Sequence, residues 1–62
     1  MRRYYFTFVN STHHIMRSRD GEFEDDRQAE NFAHGLLTAT DPSIISVEAW
    51  QRSRLVRRVQ RD

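Results

Sequence analysis

The chain has 62 residues, 31% of them charged and 37% hydrophobic, with no cysteine. This length fits a single domain, residues 1–62, and a domain so small buries only about 60% of its unfolded surface. Disulfides and cysteine-based metal sites are excluded, and a net charge of +1 gives no general attraction to nucleic acid or membrane.

Self-association is then the common remaining way to bury more surface, so a homo-oligomer is expected. Lack of cysteine fits a cytoplasmic location. Met1-Arg2-Arg3 and the apolar run Tyr4 to Val9 are too short for a signal peptide, and no segment is long enough to span a bilayer. The charge is unevenly spread. Asp20, Glu22, Glu24, Asp25, Asp26 and Glu30 stand against Arg27 alone, whereas Arg52, Arg54, Arg57, Arg58 and Arg61 stand against Asp62. All 10 basic residues are arginine, a bias that compositional drift explains and that also suits bidentate or stacking contacts.

Tyr4 to Val9 is aromatic and β-branched and reads as the strongest strand. Tyr4, Phe6 and Phe8 share one face, with Phe6 and Phe8 the better candidates to meet a helix; Tyr5, Thr7 and Val9 share the other. Asn10-Ser11-Thr12 has turn composition, and His13 to Arg19 returns as an outer strand. The alternation there places His14, Met16 and Ser18 on one face and His13, Ile15, Arg17 and Arg19 on the other. Asp20-Gly21 signals a turn, followed by a tight reversal that tucks Phe23 under the start of a helix.

That helix is the stretch Asp25 to Ala39. Ala29, Phe32, Ala33, Leu36 and Leu37 recur at helical spacing and form one apolar stripe. Asp25 caps its start with Gln28 as reciprocal partner, Asp26 complements the helix dipole, and Pro42 ends it. Gly35 lies inside the stripe, where it marks either a close approach to the sheet or simple tolerance.

Ile44 to Trp50 is a third strand with Ile45, Val47 and Ala49 on one face and Ile44, Ser46, Glu48 and Trp50 on the other. Gln51-Arg52-Ser53 turns the chain into a fourth strand, Arg54 to Gln60. Its Leu55 and Val59 share a face with Arg57, an inconsistency that a bulge or a strand end would absorb. The fold class is therefore α+β, in the order ββαββ: a four-stranded, mainly antiparallel sheet with one helix packed on one face. The third strand should run in the direction of the second, with the first strand central.

Arg3-Tyr4-Tyr5-Phe6, then Gly21, Glu22-Phe23, Asp25 and Ala29 set a pattern that resembles a family of small bacterial proteins of unknown function. These open with an Arg-Tyr-Phe-Phe strand, pass a glycine turn and enter a helix through a Glu-Phe/Leu-x-Asp-x-x-x-Ala segment. The closing hairpin around Val47-Glu48 and Leu55-Val56 looks similar as well. The resemblance implies a ββαββ-like layout and brings with it neither an activity nor catalytic residues.

No constellation favours catalysis. His13 and His14 are adjacent on a strand and His34 lies on a helix flank, which is not the spacing of a zinc site. Ser11, His13 and Asp20 have nothing to bring them together, and the acidic run lacks the alternating ligands of a calcium loop. No catalytic residue, cofactor, metal or small-molecule substrate is inferred. The sheet face away from the helix should display Tyr5, Thr7 and Val9 together with Arg17, Trp50 and Arg58. With Arg52 and Arg54 of the closing hairpin, these compose an expected interaction surface of Tyr5, Arg17, Trp50, Arg52, Arg54 and Arg58. Tyrosine, tryptophan and arginine are enriched at protein interfaces. The expected function is a non-enzymatic protein-interaction module that self-associates, or binds another protein, through an open sheet face or edge. The alternative is a nucleic-acid-binding module, in which Trp50 and Tyr5 stack on bases and the arginines of the C-terminal hairpin hold phosphates.

Overall fold

A computed structural model describes residues 1–61; Asp62, the acid set against the C-terminal arginines, lies outside them. Its elements are β1 (Arg2–Asn10), β2 (Ile15–Phe23), α1 (Asp26–Ala39), β3 (Ile44–Gln51) and β4 (Arg54–Gln60). The strands form one sheet in the order β2-β1-β3-β4, and every neighbouring pair is antiparallel. β2 and β3 therefore point the same way on either side of β1, and α1 carries the chain across between them. The expected α+β class, ββαββ order and central first strand are all present.

Strict alternation in β1 sends Tyr4, Phe6 and Phe8 toward the helix, where each is buried. Ala29, Ala33 and Leu37 meet them from α1, Ile44, Val47 and Ala49 from β3, and Val59 from β4. Small residues on the helix let it sit close to the sheet, while Phe32 and Leu36 pack at its flank. Phe23 joins Tyr4, Phe6 and Phe32 in an aromatic cluster with ring centroids 5.0 to 6.1 Å apart. At the helix start, Asp25 Oδ1 accepts from the Gln28 N–H at 3.0 Å. Gln28 Oε1 in turn accepts from the Glu24 N–H at 3.1 Å, so the box closes one residue earlier than the usual form.

Three expectations change. Asp20-Gly21 is not a turn: β2 runs straight through it, with Tyr4 opposite Gly21 and Arg2 opposite Phe23. The glycine serves packing instead, because a Cβ there would lie 3.0 Å from the Phe23 ring. β2 also begins at Ile15, since His13 and His14 belong to a turn built on Asn10. Asn10 Oδ1 accepts from the Thr12 and His14 N–H groups, and His13 adopts φ 65°. Finally, bulges reset the faces of two strands. Val9 pairs with Ser46 and Asn10 with Ile44, so Ile44 enters the core and Ile45 is the extra residue. Ala49 pairs with Arg57 and Trp50 with Leu55, so Val56 is extra and packs against the core, while Leu55 turns outward. Of the two expected ways to absorb the Arg57 inconsistency, the fourth strand takes the bulge and not a strand end. Gly35 is exposed, and nothing lies within 4 Å of a Cβ placed on it, so the glycine is tolerated and not required.

Candidate interaction surface

The face of the sheet opposite α1 is uncovered, and the register states what it displays. Tyr5 stands opposite Trp50, and Trp50 opposite Leu55, so these three form a row across β1, β3 and β4. Tyr5 is 46% exposed and Leu55 40%. At the other end Val9 stands opposite Ile15, which is 61% exposed and the most exposed apolar side chain on this face.

Between the two apolar ends lies a polar network centred on Glu48. Its Oε1 accepts from the Thr7 hydroxyl and from Trp50 Nε1, each at 3.3 Å. Its Oε2 accepts from Arg58 Nε at 2.9 Å and lies 2.8 Å from Arg58 Nη2. The Glu48 side chain is only 13% exposed, so this carboxylate is held in place and orients the indole. At the β2 edge Arg3 lies 3.0 Å from Asp20 and 3.7 Å from Glu22. Both signs of charge on this face are thus paired within the chain.

Tyr5, Trp50 and Arg58 occupy this surface as expected. Arg17 does not: it pairs with Phe8 across the β1–β2 ladder and therefore shares the helix side of the sheet. Its guanidinium lies over the Phe8 ring, 4.9 Å from the centroid. The bulge that leaves Met16 unpaired breaks the alternation that had joined Arg17 to Ile15. Arg54 is likewise on the helix side, where it donates to both Asp26 oxygens at 3.2 Å and also bonds Gln51 Oε1. Arg52 sits at the tip of the β3–β4 hairpin with φ 57°, an uncommon conformation for a residue bearing a Cβ. Arg61 Nη2 donates to the Leu37 carbonyl and its Nε to that of Ile44, so it caps the end of α1.

Sequence reasoning missed Ile15, Leu55 and the hub role of Glu48. The phase break at Arg57 was the available signal for Leu55; nothing in the sequence marked the other two.

Three of the titrating groups that depart from their ordinary behaviour, Tyr4, Asp26 and Arg54, meet at the helix start; the fourth, Asp41, lies beyond the helix end, where the Ser43 N–H holds its carboxyl low. The Arg54 guanidinium, and after it the Tyr4 hydroxyl, hold the Asp26 carboxyl below the usual carboxylate range. Burial, and then the bond to Asp26, raise the Tyr4 phenol. This is a structural clasp between β1, α1 and β4. Among the described residues, no group of His, Cys, Asp and Glu could hold a metal ion, and no helix is long and apolar enough to cross a membrane.

No family model, curated protein or solved structure matches the chain. Geometry alone must therefore carry the functional reading.

Proposed function

We propose that this chain is a small non-enzymatic protein-interaction module that self-associates through its open sheet face. One observation carries the reading: Tyr5, Ile15 and Leu55, three of the large exposed apolar side chains, all lie on the face that no helix covers. Large apolar side chains exposed on one face, here at its two ends on either side of the Glu48 network, are a characteristic feature of an interaction surface. The partner we favour is a second copy, because most of the charge on this face is paired within it, Arg58 with Glu48 and Arg3 with Asp20, which leaves Glu22 as a single excess acid at the edge. The small core gives such a dimer a thermodynamic purpose. Membership of the Arg-Tyr-Phe-Phe family belongs to the same proposal, as does a cytoplasmic location, for which the cysteine-free composition is the support.

Sedimentation of the protein from micromolar to millimolar concentration tests it. The expected result is a concentration-dependent dimer that is lost in Leu55→Asp and Ile15→Asp while the circular dichroism is kept. A strict monomer throughout this range refutes self-association.

The nucleic-acid reading retains one favourable feature, the neighbouring Tyr5 and Trp50 side chains with Arg52 at the same end of the sheet. Against it, Arg54, Arg58 and Arg61 are engaged by Asp26, Glu48 and backbone carbonyls. Titrating oligonucleotides against Trp50 fluorescence separates the two. Quenching that weakens with salt favours nucleic acid, and none leaves the protein reading.

A further inference from the structure

On the other side of the sheet, the helix leaves a second surface incomplete. α1 lies mainly over β3 and β4 and reaches β2 less. The gap between α1 and β2 is a groove of about 350 Å³ with Phe8 and Leu36 among its apolar lining residues and Arg17 and Arg19 on its β2 wall. Past Arg17 and Thr40 it continues into a second hollow of about 400 Å³ bounded by Met16, Ile44 and Asp41, whose carboxylate accepts from the Ser43 N–H. Arg17 stacks on Phe8 and Arg19 on Phe32, the latter 5.4 Å from the ring centroid. Among the described residues, neither guanidinium has a carboxylate partner.

The wall of this groove is also a free edge. β2 is hydrogen-bonded to β1 alone, spans nine residues without proline, and is exposed or half-exposed along its whole length. A strand of that length presents unpaired backbone donors and acceptors that accept another extended chain. Its charges are sorted by side. Ser18, Asp20 and Glu22 face the open side, where Arg3 pairs with Asp20 and lies 3.7 Å from Glu22. Arg17 and Arg19 face the groove and are not neutralised.

From this pairing of an open edge with a one-sided, uncompensated charge, we propose that β2 and the α1–β2 groove dock an extended acidic peptide segment of a partner protein. The segment adds as a fifth strand beside β2. Alternate side chains enter the groove, where carboxylates reach Arg17 and Arg19 while the apolar lining accepts a neighbouring aliphatic group. The intervening side chains point to the open side and need no negative charge, since Arg3, the cation there, is already engaged by Asp20 and Glu22. This surface lies on the opposite side of the sheet from the face proposed for self-association, and either can fail alone.

The test uses the whole chain and a blocked octapeptide alternating glutamate with threonine, followed by amide NMR. Expected are shifts and slowed hydrogen exchange confined to Ile15–Phe23, with further shifts at Leu36, Ala39 and Thr40. Affinity should fall about tenfold or more in the doubly reversed variant Arg17→Glu/Arg19→Glu, since like charges then oppose one another. The same variant should gain affinity for a blocked octapeptide alternating lysine with threonine, a rescue that a merely misfolded variant cannot give. Three results overturn the proposal: no shifts at millimolar peptide, shifts centred on Tyr5, Trp50 and Leu55, or equal binding of a peptide with the same composition but clustered glutamates. Protection of β2 amides that grows with protein concentration and without peptide also overturns it, by assigning the edge to a second copy. Mapping on the unaltered protein keeps the question decidable even if the reversed variant does not fold.

Discussion

The Tyr4 hydroxyl donates a hydrogen bond to Asp26 Oδ1 at 2.7 Å, tying the most buried tyrosine of the sheet to the first turn of the helix. Arg54 binds the same carboxylate from β4, so three elements distant in sequence meet at one group. Removing the hydroxyl in Tyr4→Phe should cost about 1.5–3 kcal/mol, the range for a hydrogen bond to a charged acceptor. Because the folded state raises the Tyr4 phenol, this contribution is complete below the unfolded tyrosine value and is lost as pH rises above about 10. Urea denaturation at stepped pH should therefore show the gap between the two proteins narrowing in the alkaline range. A constant gap would mean that the hydroxyl does not titrate with folding.

Asp26 acts at the opposite end of the pH scale. Its carboxyl is lowered in the folded state, first by Arg54 and then by Tyr4, so its contribution is present above the unfolded carboxylate value and fades as pH falls below about 4. Asp26→Asn should flatten that part of the acid limb and also weaken the alkaline limb, leaving there the part that burial of Tyr4 supplies. The comparison is of denaturation midpoints between neutral pH and the acid transition. An acid limb identical in both proteins would count against the clasp.

The two glycines should respond in opposite directions. Gly35 is exposed in mid-helix with open space around it, so Gly35→Ala should stabilise by about 1 kcal/mol. Gly21 lies beneath the Phe23 ring, whose retreat is blocked by Phe6 and Phe32, so Gly21→Ala should destabilise by roughly 1–2 kcal/mol through overpacking. Thermal melts of the two variants beside the parent settle both signs in one experiment.

Arg52 should be replaceable to advantage. Its φ of 57° at the first position of the two-residue β3–β4 turn suits asparagine or glycine better than arginine. Arg52→Asn should raise stability by about 0.5–1 kcal/mol by relieving the crowding of Cβ in the left-handed region. If oligonucleotide affinity falls in the same variant, the strained arginine is held there for binding, and the nucleic-acid reading gains accordingly.

Most of the architecture was legible in the chain because it is written in periodicity. Ala29, Phe32, Ala33, Leu36 and Leu37 mark a helix with one buried stripe, and Tyr4, Phe6 and Phe8 mark a central strand, whatever else surrounds them. What periodicity cannot carry is the place where it slips. A bulge adds one residue and reverses every face beyond it, at little local cost and with no dedicated residue type to announce it. Met16, Ile45 and Val56 are the residues at which this happens. They decide that Arg17 faces the helix, that Ile44 is core, and that Leu55 is at the surface. The Asp20-Gly21 pair failed for a related reason: local turn preference gave way to the cross-strand ladder with Arg2–Tyr4 and to the Phe23 ring resting on the glycine.

Composition and spacing by themselves determined a single ββαββ domain with an aromatic core and one uncovered sheet face. Only the tertiary structure decided which arginines are already spoken for, because partners such as Asp26 for Arg54 and Glu48 for Arg58 are set by strand register and helix placement. Charge is a property of the residue, but its availability depends on what the fold brings within reach.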